Sequence, residues 1–184
     1  MIISGNKEKG LAKELFGLYP NAIFCSRSNG FDLCSKKGQT DFAGLSIEHD
    51  IIILNSALYR FEQTNLLDKV YESCVKIKHS PLIICIGSTT DRVKNSKPWI
   101  YNAEKKALRD YCNTLSLGGV WSDKPKITYI SFGTLSNNAE KHPTRKCMNI
   151  NDSANYIKWV IDQPKNICIN EISIDPMQGE FWYE

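Results

Sequence analysis

Two short segments, Ile51-Ile52-Ile53-Leu54 (entered from Asp50) and residues 81–86, are apolar at successive positions instead of alternating apolar with polar. A strand with water on one face alternates, whereas a strand that is apolar throughout has to be covered on both faces. Two such strands call for a parallel sheet sandwiched between helices. Shorter strand-like runs occur at 1–3, 22–25, 127–131 and 167–174, with helix-like stretches at 9–18, 65–78, 98–115 and 152–161 between them. The last of these opens on Asp152 or Ser153 as N-cap and sets Ala154, Ile157, Val160 and Ile161 on one face. Strands alternating with helices give an α/β fold, a doubly wound parallel sheet in three αβα layers joined by right-handed crossovers. At 184 residues, a single domain spanning 1–184 is expected. Ligands of such sheets bind beyond the carboxyl ends of the strands.

Charge and cysteine usage narrow the function classes. Lysine and arginine outnumber aspartate and glutamate by only three, too few to imply a nucleic-acid partner. No apolar run approaches the ~20 residues of a membrane span. The N-terminus enters a strand-like run directly, without the layout of a secretory signal, so a cytoplasmic setting is expected. The seven cysteines (25, 34, 74, 85, 112, 147 and 168) are odd in number and contain no CxxC pair, which suits reduced, mostly buried thiols and no metal site. His49, His79 and His142 stand far apart in sequence, without ligand spacing.

The strand ends carry the chemistry. After the first strand comes Ser4-Gly5-Asn6-Lys7-Glu8-Lys9-Gly10-Leu11-Ala12, a glycine-bearing turn that runs into a helix. Such a turn lets backbone approach a pyrophosphate, which the helix N-terminus then stabilises. The second strand ends in Ser26-Arg27, where an arginine suits a ribose 2′-phosphate and an acid would suit a 2′-hydroxyl. Taken alone, the glycines fit equally a tight turn that binds nothing, and Arg27 a solvated surface residue. The strand at 81–86 leads to Gly87-Ser88, and Tyr101 and Lys105 follow one helical turn apart on one face. An ammonium beside a phenol favours the phenolate, so Lys105 is expected to lower the Tyr101 pKa, readying it for proton transfer. The Ser88 hydroxyl is placed to polarise a carbonyl.

In this order and on these elements, the motifs resemble those of the short-chain dehydrogenase/reductase family along nearly the whole chain. Ser4-Gly5, Lys9, Gly10 and Leu11 resemble its glycine turn, Asp32-Leu33 its adenine-contacting pair, and Asn55-Ser56-Ala57 its NNAG motif. Ser88, Tyr101 and Lys105 fall where the catalytic serine and YxxxK belong, and Gly133 and Thr134 where the segment meeting the nicotinamide belongs. The resemblance implies a Rossmann-like fold and hydride transfer between a nicotinamide cofactor and a small carbonyl or alcohol substrate. Tyr101 would be the acid/base, Ser88 would polarise the carbonyl, and Lys105 would hold the cofactor ribose. Asn65 is the candidate for the family's catalytic asparagine. Lys9 and Arg27 match the positions that mark NADP(H) preference over NAD(H). A homodimer or tetramer is implied as well, with the aromatic Phe181-Trp182-Tyr183 tail as interface material.

The chain is shorter than typical members, and the shortage lies between Arg27 and Asp50 and after Thr134. A third strand would have to follow Ser28-Asn29-Gly30 at once, and only a short helix around 42–45 fits before Asp50. Ala12 replaces the third glycine of the turn, Ser56 the second asparagine of NNAG, and Phe132 the proline before Gly133. These departures leave a second expectation beside the enzyme: a nucleotide-binding sensor or scaffold of the same descent, catalytically idle.

Overall fold

The computed structural model describes residues 1–92 and 99–178. Six parallel strands form one sheet: β1 (Ile2–Ser4), β2 (Ile23–Cys25), β3 (Ile51–Leu54), β4 (Leu82–Ser88), β5 (Lys126–Phe132) and β6 (Glu171–Ile174), in the order β2-β1-β3-β4-β5-β6. Five helices cover it: α1 (Gly10–Leu18), α2 (Lys36–Ser46), α3 (Glu62–Lys76), α4 (Ile100–Trp121) and α5 (Ile150–Ile161).

The apolar strands explain the layering. Ile52, Leu54, Ile83 and Cys85 enter the core beneath α2, α3 and α4, while their neighbours Ile53, Ile84 and Ile86 enter the core beneath α1 and α5. Successive side chains point to opposite faces, so a strand feeding two cores must be apolar throughout. The architecture is the expected Rossmann-like α/β sheet. From β1 the chain steps to β2 on one side and then to β3 on the other, so the sheet reverses direction at the ends of β1 and β3. A crevice opens at such a point.

Several elements differ from expectation. No strand follows Ser28-Asn29-Gly30; residues 27–29 form a 3-10 turn, and among the described residues β2 is an edge strand. Asn29 compensates, because its Nδ2 donates to the Phe24 carbonyl at 2.5 Å and its Oδ1 accepts from the Ser26 amide at 2.8 Å. These are the two backbone groups a neighbouring parallel strand would engage, so one carboxamide stands in for a missing peptide unit. The helix expected around 42–45 extends over eleven residues as α2, because the Ser35 hydroxyl caps it by accepting from the Gly38 amide at 3.0 Å. Helix α5 starts earlier than expected, capped by Asn149, and α4 runs on to Trp121. Pro98 and the Phe181-Trp182-Tyr183 tail lie outside the described residues.

Candidate active site

The glycine turn is shaped by contact. Gly5 has φ +149, and a Cβ there would stand 2.9 Å from both the Ala12 Cβ and the Asn55 Nδ2. The Ala12 methyl therefore packs directly onto the bare Gly5 backbone, and the third glycine's place is filled at no cost to the turn. Gly10 has φ +53 and opens α1. The N-cap, Lys9, makes no side-chain cap and the first turn holds no acid, so the leading amides of α1 keep their capacity for an anion.

Beside this turn lies a cleft of about 1300 Å³ at the carboxyl ends of the strands. Of the eighteen residues singled out from the sequence, sixteen line it; Ser4 and Asn65 do not. Ser4 is fully buried, and its hydroxyl accepts the Ser56 amide at 3.0 Å, tying the end of β1 to the segment after β3. Asn65 is exposed, and its amide donates to Glu62 at 3.3 Å. The buried face of α3 carries Gln63, Leu66, Leu67, Val70 and Cys74, and Asn65 is off that stripe.

Lys9, Arg27, Arg60, Lys141 and Arg145 line the cleft, and none forms an ion pair among the described residues. Uncompensated cations along one groove favour a polyanionic ligand. Asp32 also reaches the cleft, from a loop and not from a strand end. The Ser35 amide and hydroxyl bond its carbonyl, and a Cβ on Gly38 would stand 2.1 Å from that oxygen.

The structure brings Ser88, Tyr101 and Lys105 together. Ser88 ends β4; its hydroxyl donates to Thr90 Oγ1 at 3.1 Å and, beside the Tyr101 phenol, favours the phenolate. Lys105 Nζ stands 5.3 Å from the centre of the Tyr101 ring. Tyr59 and Trp99 pack on the same ring, with centroids 5.9 and 5.5 Å away. The expected lowering of the Tyr101 pKa is not what the structure gives. Burial outweighs the Ser88 hydroxyl, with Tyr59 and Glu104 adding to it, and the phenol's pKa is raised. Burial also acts on the lysine, which is only 3% exposed and whose pKa falls to about 8.

Three further features escape a motif-based reading. Gln63 is 3% exposed and accepts from Lys105 Nζ at 2.5 Å. Its signal was available, since it is a polar residue on the apolar stripe of α3. Glu104 is buried beside Lys105 and accepts the Arg60 amide at 2.7 Å, holding Arg60 and Phe61 in left-handed conformations (φ 58 and 62) just before α3. Buried Asp91 accepts the Tyr129 hydroxyl at 2.9 Å and the Ser131 hydroxyl at 3.2 Å.

This sheet order, with its glycine turn and cleft, defines a Rossmann-like class of fold. Solved structures that share the fold include short-chain dehydrogenases. The fold matches serine dehydrogenase from Escherichia coli with a TM-score of 0.74 at 13% identity, over 98% of this chain and 99% of that one. It matches a short-chain dehydrogenase from Burkholderia cenocepacia in complex with NADP with a TM-score of 0.76 at 12% identity, over 94% and 86%. A 4-hydroxyisoleucine dehydrogenase complexed with NADH and succinate gives 0.69 at 15%, over 97% and 98%. The chain shares the fold of these proteins. No protein-family model and no curated protein sequence matches it.

Proposed function

We propose that the protein is an NADP(H)-dependent oxidoreductase of the short-chain dehydrogenase/reductase family, acting on a small carbonyl or alcohol. The observation that carries this reading is the meeting of Ser88, Tyr101 and Lys105 in one cleft with the glycine turn. A protein that only binds nucleotide has no use for a half-buried phenol set beside a serine and a lysine.

The residues fit the cofactor. The bare Gly5 backbone, the uncapped start of α1 and the unpaired cations suit a pyrophosphate, and Arg27 and Lys9 suit a 2′-phosphate. Neighbours of the same fold bind NADP in one case and NADH in another, so the preference for NADP(H) rests on Arg27 and Lys9. When bound, a nicotinamide supplies the hydride.

This chain's own residues do the rest. Ser88 donates toward the substrate carbonyl and draws electron density to its oxygen. Tyr101, its phenol kept protonated by burial, delivers a proton to that oxygen as the carbonyl carbon is reduced. Lys105 holds the ribose hydroxyls; Gln63 occupies one ammonium hydrogen and two others have no partner among the described residues. Tyr59 and Trp99, stacked on the Tyr101 ring, suit an apolar wall for the substrate. Exposed Leu117, Val120 and Trp121 on α4 suit a homodimer or tetramer contact.

Fluorescence titration with NADPH and NADH, followed by a screen of small ketones and aldehydes, tests the reading. NADPH binding tighter than NADH, with turnover of at least one carbonyl class, is expected. Binding without turnover would instead mark a nucleotide-binding sensor or scaffold.

A further inference from the structure

We propose that Gln63 is a positioning residue for Lys105, fixing the ammonium in a buried slot against the Tyr101 ring. This rests on the reading of Lys105 as a working residue of the cleft, and it goes beyond that reading by assigning the group that holds it. Strands β3 and β4 stop pairing at Leu54 and Cys85, so the carbonyls just past the ladder need donors. The Gln63 amide supplies them, with Nε2 donating to the Ile86 carbonyl at 2.8 Å and to the Leu54 carbonyl at 3.3 Å.

A carboxamide has two donor hydrogens and one acceptor oxygen. With its NH2 side engaged by two carbonyls, the oxygen faces the lysine, and the reversed orientation would set two donors against an ammonium. The 2.5 Å contact from Lys105 Nζ is thus the arrangement that satisfies both the donors and the acceptor of the Gln63 amide. Four other groups act on this lysine: Glu104 and Cys112 from α4, Cys85 from β4 and Asp91 from the turn after β4. Gln63 is the one that bonds it directly from α3. Strand ends, helix α3 and the lysine are therefore locked as a unit. The position of Lys105 is set by the sheet and not by its own flexible stem.

The test is a titration of Lys105 in the full chain without substrate, by NMR of isotopically labelled lysine, with the signal assigned through its loss in Lys105→Met. Gln63→Glu brings a carboxylate to the ammonium and is expected to raise the midpoint by roughly one unit or more. Gln63→Leu removes the acceptor and is expected to lower it, with kcat down about tenfold and the carbonyl KM nearly unchanged. If Gln63→Leu fails to fold, Gln63→Glu decides. In the unaltered protein the Gln63 amide protons should exchange slowly with solvent, and Lys105→Met should move their resonances. An unmoved lysine midpoint in the variants, or fast-exchanging Gln63 protons that ignore Lys105→Met, would overturn the assignment. Because the titration needs no turnover, it stays legible if the redox reading fails, and Tyr101→Phe with normal turnover would sink that reading separately.

Discussion

The carboxamide of Asn29 bonds the outer edge of β2 at the Phe24 carbonyl, at 2.5 Å, and so closes the sheet edge where the sequence resemblance implied a further strand. Removing it leaves that carbonyl and the Ser26 amide without their partner. Asn29→Ala should cost about 1–2 kcal/mol of stability and make the edge more prone to association. Chemical denaturation and light scattering measure the two effects. An unchanged midpoint would mean that solvent serves the edge equally well.

Gly87 is required by a buried tyrosine. A Cβ there would stand 2.0 Å from the Tyr129 hydroxyl and 2.1 Å from its ring carbon, and that hydroxyl is held by Asp91. Gly87→Ala should destabilise by roughly 2–3 kcal/mol, because the ring cannot move without breaking the Asp91 bond. Thermal unfolding checks this.

Cofactor choice should follow Arg27 and Lys9. Arg27→Ala is expected to weaken NADPH binding about tenfold and to leave NADH binding nearly unchanged, with Lys9→Ala acting in the same direction. Titrations of both nucleotides against each variant measure it. Equal loss for the two would place these cations elsewhere on the ligand.

Buried Lys105 makes stability depend on pH. Its folded pKa, about 8, lies below the ordinary lysine value of 10.5, so the unfolded chain binds more protons between those limits. Burying the charged form costs stability at pH 7, and that cost is relieved as pH rises from 8 toward 10.5. The stability of the natural chain relative to Lys105→Met should therefore climb across this window by on the order of 2–3 kcal/mol. A flat difference would mean that the ammonium is not desolvated.

The core and the parallel, two-sided sheet were legible because apolar periodicity reports directly on burial: Ile52, Ile53, Ile83 and Ile84 declare two covered faces by themselves. The cleft residues were legible from motif order, since strand ends converge in this topology wherever the strands are found. Asn29 was not, because a side chain replacing a strand leaves no periodic trace. Asn65 matches the family's asparagine by residue type, although the stripe of Leu66, Leu67 and Val70 points to Gln63 instead. The Tyr101 pKa went the other way because sequence shows a neighbouring charge and hides desolvation.

Hydride transfer itself is tested most directly with NADPH deuterated at the transferring position, incubated with a carbonyl substrate in single turnover. Mass spectrometry of the alcohol should find one deuterium on the former carbonyl carbon, and Tyr101→Phe should slow its appearance by about 1000-fold or more. Nucleotide bound but never oxidised, or deuterium delivered as quickly without the phenol, would contradict the assignment.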